Sequence, residues 1–178
     1  MTRESGREPR QWIGVLLIVG VLAGLAACAP VDDPSAGMPV ADAVALIEKA
    51  PRSEINLADL AEAFAFGTRS TDVQRENLQA ELVGRRVEWD IPVFEVSHSE
   101  GRYEVTSQPI PIQDPEAAAL IRVVAIVVPR NEADDELLRT VKTNDVIRVR
   151  GIVQEIRLRT IVAIVPATII SSTVSVDR

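Results

Sequence analysis

The chain predicts an α+β domain that is mostly β: a five-stranded barrel preceded by short N-terminal helices. Two observations carry this. The hydrophobic period changes from about 3.6 residues before Gly84 to 2 after it. Beyond Gly84 come three apolar runs, a short helical interval and two more apolar runs, each long enough for a strand.

The helical part spans residues 41–83. Ala41–Ala50 is an apolar helix that Pro51 stops. Asn56 is placed to cap a second helix, with Leu57, Leu60, Ala61, Phe64 and Ala65 on one stripe, and Gly67 ends it. Thr71 and Gln74 form the spacing of a capping box for a third helix, which runs to about Val83 with Gly84 just past its end. These helices are expected to pack on the barrel.

The barrel is expected over residues 84–170. Val87, Trp89, Ile91 and Val93 alternate with Glu88, Asp90 and Pro92, a half-buried first strand that places Trp89 in the core. The alternation slips at Val93-Phe94 and resumes at Val96, which predicts a bulge; Phe94 is expected in the core beside Trp89. Ser97–Gly101 reads as a turn holding His98, followed by a second strand over Arg102–Ser107 and a proline-containing loop over Gln108–Pro115. Leu120–Val128 is a third strand, apolar on both faces except at Arg122, and Pro129 ends it. Asp134, Asp135 and Glu136 open a short helix, Glu136–Val141, at its positive end. Asn144-Asp145 turns into a fourth strand, Val146–Arg157, with Gly151 inside it. After the tight Leu158-Arg159 connection the fifth strand is Thr160–Ile170. Residues 171–178 form a C-terminal tail.

This element order, with a bent first strand and a glycine in the fourth, is that of an OB-fold, a five-stranded Greek-key barrel. The run Leu138–Val153 (LRTVKTNDVIRVRGIV) resembles a passage common in bacterial OB-fold proteins: a leucine, a turn, an aspartate, then an alternating valine and glycine strand. The resemblance covers residues 80–170 and is to OB-fold lipoproteins related to the anticodon-binding-like (tRNA_anti-like) family. It implies a binding domain whose second and third strands and flanking loops carry the ligand.

The N-terminus resembles a bacterial lipoprotein signal. Residues 1–11 are polar and hold Arg3, Arg7 and Arg10; Trp12–Ala27 is 16 residues without a charge, short of the roughly 20 that span a bilayer. Leu25-Ala26-Ala27-Cys28 then matches a lipobox around the only cysteine. The resemblance implies that residues 1–27 are a signal peptide, that Cys28 is lipidated, and that the domain lies outside the cytoplasm, held to a membrane of the cell envelope. A retained anchor is the rival reading. Residues 28–40, with prolines 30, 34 and 39, read as a flexible tether.

Composition narrows the function. The whole chain carries 19 Lys+Arg and 26 Asp+Glu, net −7. Removing the leader's three arginines and two glutamates leaves 16 against 24, net −8. That argues against nucleic acid as a partner, since phosphate binding draws on Lys and Arg. Arg148 and Arg150 face Glu88 and Asp90 across neighbouring strands and are expected to pair with them. Tyr103 is the only aromatic on the expected ligand face. His98, the sole histidine, reads as a solvated turn residue, and neither a catalytic triad nor a Cys/His metal set can be assembled. No cofactor is implied.

The expectation is therefore a non-enzymatic binding domain. Its partners would be the membrane, through Cys28, and another envelope protein; the alternative is an oligosaccharide or nucleic acid on the barrel face. The third and fifth strands pose a separate question. If one residue set faces inward, Val124, Ile126, Val128, Val162 and Ile164 face out as a contiguous apolar patch. Either the helix carrying Leu57, Leu60 and Phe64 covers this patch, or the patch docks a partner.

Overall fold

The computed structural model describes residues 31–114 and 117–170; the expected leader 1–27, the expected lipidation site Cys28 and the tail 171–178 lie outside them. Three helices precede the sheet. α1 (Val40–Lys49) buries Ala43 and Ile47 and stops before Pro51. α2 (Leu57–Phe64) starts at Asn56, whose side chain accepts from the Asp59 amide at 2.7 Å. α3 (Asp72–Leu82) starts with a reciprocal capping box: the Thr71 amide donates to Gln74 Oε1 at 2.8 Å and the Gln74 amide to Thr71 Oγ1 at 3.3 Å.

The strands are β1 (Arg86–Ser99), β2 (Arg102–Ser107), β3 (Arg122–Val127), β4 (Val146–Arg157) and β5 (Ile161–Ile169), with α4 (Glu132–Thr140) between β3 and β4. They close in the order β1-β2-β3-β5-β4. β3 and β5 are parallel and every other pairing is antiparallel. This is the OB-type barrel that the element order implied. α4 begins a turn before the expected Glu136 because Asn131 caps it, accepting from the Asp134 amide at 3.0 Å.

Trp89 lies in the barrel core, and its Nε1–H donates to the Ile55 carbonyl at 3.0 Å, tying the α1–α2 connection to the sheet. Gly151 marks a crossing with no room for a side chain. A Cβ there would meet Ile164 Cγ2 at 2.4 Å and the Pro166 carbonyl oxygen at 2.6 Å.

Several expectations are corrected. Ser97 and His98 belong to β1, not to a turn; the hairpin is Glu100-Gly101, with φ of 51° and 75°, and His98 sits opposite Tyr103. Phe94 is not in the core. The β1 register shifts between Val93 and Glu95, and the bulge turns Phe94 outward, 42% exposed. In β5 the inward set includes Val162 and Ile164, which were expected to face out. A register shift then returns Ala167 and Ile169 to the core.

The expected patch of Val124, Ile126, Val128, Val162 and Ile164 is not a surface, since all five are buried. Val162 and Ile164 fill the core. Val124 and Ile126 lie on the other face, beside Thr106 and Glu104 of β2 in register. Nor is α2 an outer cover, because Leu57, Leu60 and Phe64 join the interior core. The helix that packs outside β4 and β5 is α1.

The expected flexible tether is also corrected over its described part. Arg102 Nη1 donates to Asp33 Oδ2 at 2.8 Å and to Ser35 Oγ at 2.6 Å; its Nη2 donates to the Ser35 carbonyl and, at 3.3 Å, to the Met38 carbonyl. With Arg102 and Asp33 side chains only 12% and 17% exposed, the segment is bound to β2 before α1 begins.

Candidate interaction surface

Three parts of the surface were candidates for binding, and each is built differently. The first is the outer wall of β1 and β4. Strand register sets Asp90 opposite Arg148 and Glu88 opposite Arg150. Arg148 donates to both Asp90 oxygens, at 2.8 and 2.7 Å, and this bidentate bond holds the Asp90 carboxyl below its ordinary pKa. Arg150 reaches Glu88 at 2.8 Å and Glu48 of α1 at 2.7 Å, while Arg86 reaches Glu48 at 2.6 Å. The Arg150 bond and the two positive charges hold Glu48 below its usual value. The cross-strand pairs follow the sequence expectation; Glu48 was not anticipated, because only folding brings α1 over the strands.

The second is the outer face of β1, β2 and β3, where ligands sit in many OB-folds. Tyr103, expected there, points inward. Its ring lies 4.6 Å from the His98 ring, and its hydroxyl donates to Asp135 Oδ1 at 2.6 Å, which raises the phenol pKa. Arg139 Nε donates to the other Asp135 oxygen at 2.8 Å. Tyr103 and Arg139 together hold the Asp135 carboxyl below its ordinary range. The aromatic that the face does expose is Phe94, with the Arg122 guanidinium 5.5 Å from its ring centroid. The bulge was legible in the sequence; the direction in which it turned Phe94 was not.

The third is the barrel end where β4 stops and β3 and β5 start. Phe66, Leu120 and Leu158 line a groove of about 370 Å³ with Arg75 and Arg159. The β4–β5 tip turns through two left-handed residues, Leu158 (φ 48°) and Arg159 (φ 60°); Leu158 is exposed and Arg159 bonds Asp72 at 2.9 Å. The sequence showed this tip as a short connection and gave no sign that Phe66 would join it. Among the described residues no group of three or more His, Cys, Asp or Glu side chains is placed to hold a metal, and no helix is long and apolar enough to cross a membrane.

No family model matches the chain, and no curated protein matches it. Among solved structures, the chain is similar to a Klebsiella pneumoniae lipoprotein provisionally described as nucleic acid-binding. The two share 14% identity at a TM-score of 0.43, over 75% of this chain and 99% of that one.

Proposed function

We propose that the protein is a lipid-anchored component of a bacterial cell envelope, held through Cys28, whose barrel is a non-enzymatic module for binding another protein. The observation that carries the choice of partner is the commitment of the wall arginines. Arg86, Arg102, Arg148 and Arg150 all bond carboxylates of the same chain. A nucleic-acid track needs cations that can neutralise phosphate, and these are already neutralised. The lipobox-like Leu25–Cys28 segment supports the anchor. Crosslinking in intact cells, followed by identification of captured proteins, tests the reading. One reproducible envelope protein is expected; a steeply salt-dependent affinity for single-stranded DNA or RNA overturns it. Cys28→Ser tests the anchor: fatty-acid labelling should be lost, and normal labelling refutes lipidation.

A second reading, oligosaccharide or nucleic acid on the barrel face, is favoured by one feature. Phe94 under Arg122 offers a single exposed ring on which a base or sugar could stack. Glu95 and Glu104, acidic residues of β1 and β2, weigh against a polyanion there.

A further inference from the structure

Beside α1, the wall of β4 and β5 is not a regular ladder. The register pairs Gly151 with Ala167, Val153 with Ile164 and Glu155 with Ala163. It skips Ile152 and Gln154 on β4 and Val165 and Pro166 on β5. Irregular ladders re-aim side chains, and all four skipped residues line one groove of about 290 Å³. Pro34, Ser35 and Met38 line it too, on the segment that Arg102 holds in place. Leu46 and Val83 belong to the same lining yet stay 43% and 40% exposed. The groove is open at Gly84, where an added Cβ would meet nothing within 4 Å.

The polar chemistry of this groove is sparse and one-sided. Among the described residues that line it, none is charged. Of its two polar side chains, Ser35 is engaged: its hydroxyl donates to Asp33 and accepts from Arg102. Gln154 is not, because its Oε1 is buried without a hydrogen-bond partner. A buried acceptor left unpaired costs stability, and a donor that reaches it recovers that cost. The Gln154 side chain is only partly buried and its amide sits on a soft terminal torsion, so a turn about that torsion presents Oε1 to the groove.

We infer that the groove is a binding site for a small, neutral, mostly hydrocarbon ligand that carries one hydroxyl or amide N–H. The hydrocarbon lies against Leu46, Val83 and Val165, and the donor meets Gln154 Oε1. The uncharged lining selects against ions: a carboxylate or phosphate would lose its water with no cation to meet it, and an amine with no anion. A pure hydrocarbon would leave Oε1 unpaired. Apolar walls with a few placed polar groups are the usual build of small-molecule sites, and this volume suits a small member of the class. The inference depends neither on Cys28 nor on the protein partner proposed above.

Photolabelling of the full chain tests it. Two probes are compared: octanol with a diazirine on its chain, and the methyl ether of the same molecule, which keeps an acceptor but loses the donor. Labelled positions are mapped by mass spectrometry, and labelling is read relative to the exposed Leu158, which reports unspecific adsorption. Saturable labelling at Met38, Leu46, Val83, Ile152 or Val165 is expected, removed by excess octanol and about five-fold weaker for the ether. Gln154→Met, verified by its thermal unfolding, should erase the difference between the probes while hydrocarbon binding persists. Equal groove labelling by both probes in the unaltered protein overturns the donor requirement and the ligand class with it, whether or not the variant folds. A difference that survives in Gln154→Met assigns the donor to another group and overturns the inference as well. Groove labelling no stronger than that at Leu158 overturns the site, and octanoate competing better than octanol overturns its neutral character.

Discussion

The wall of β4 and β5 and the barrel end at Leu158 both present apolar residues outward, yet they are treated in opposite ways. On the wall, Ala163 and Val165 are buried, and α1 lies across the strands with Ala43 and Ile47 turned in. Pro34, Met38 and Leu46 line the adjoining groove beside Val165 and Pro166. At the end, Phe66, Val73 and Leu158 are left bare. The difference teaches that outward apolar residues carry two meanings. Where the chain supplies its own cover they stabilise the fold, and where it does not they are available to something else.

The comparison breaks most sharply at the core both regions depend on. Trp89→Ala removes the largest side chain of the barrel interior and its bond to the Ile55 carbonyl. A loss of about 3–5 kcal/mol is expected in denaturant unfolding, which would leave a domain of ordinary stability close to unfolded. An unchanged midpoint would mean that Trp89 does not fill the barrel.

Arg102→Ala attacks the cover. The substitution removes the Arg102 bonds to Asp33 Oδ2 and to the Ser35 and Met38 carbonyls, while the Ser35 amide still donates to Asp33 Oδ1 and the Met38 amide to the Ser35 carbonyl. Roughly 1–3 kcal/mol should be lost, together with faster proteolysis within residues 31–39 than in the parent. Equal proteolysis would show that the segment is held by something other than Arg102.

Acid acts on the wall with a smaller effect. Asp90 has a folded pKa below its ordinary 3.8, and Glu48 one below its ordinary 4.5. For depressed carboxyls the stabilisation is complete above the unfolded pKa and is lost as pH falls through the folded one. Stability contributed by these pairs should therefore be flat above about pH 5 and decline below pH 4. Arg148→Ala should flatten part of that decline while changing neutral-pH stability little, since the pair is half exposed. A variant that keeps the full acid slope would assign it to other carboxylates, such as Asp134 under Arg130.

What was legible divides along physical lines. Local signals survived folding: the Asn56 and Thr71 caps, the alternation that buried Trp89, the register that paired Asp90 with Arg148. Signals that depend on strand phase failed where the sheet is irregular. The bulge at Phe94 turned that ring outward, and the β5 phase put Val162 and Ile164 inside. Residues 28–40 read as a flexible tether because three prolines, two aspartates and a glycine usually mean one. The order of residues 33–38 comes from Arg102, distant in sequence, although Asp33 accepting from the Ser35 amide at 2.8 Å was a local hint. The bare end was invisible for the same reason: Phe66, Val73 and Leu158 come from three separate segments, and no periodicity links them.

The smallest expected effect is the most discriminating for the comparison. Leu158→Ser changes a side chain with almost no internal contacts, on a left-handed tip where serine is no worse placed than leucine. Stability should move by no more than about 0.5 kcal/mol, the range of surface substitutions that touch no special feature. Val165→Ser, on the covered wall, removes comparable apolar surface from beneath α1 and sets a hydroxyl against Pro34 and Met38, so it should destabilise measurably. Parallel denaturant titrations of the two variants decide the matter. If Leu158→Ser costs as much as Val165→Ser, the end is part of the fold's own packing. If it costs nothing, Leu158 contributes nothing to the fold's own packing, unlike the covered Val165.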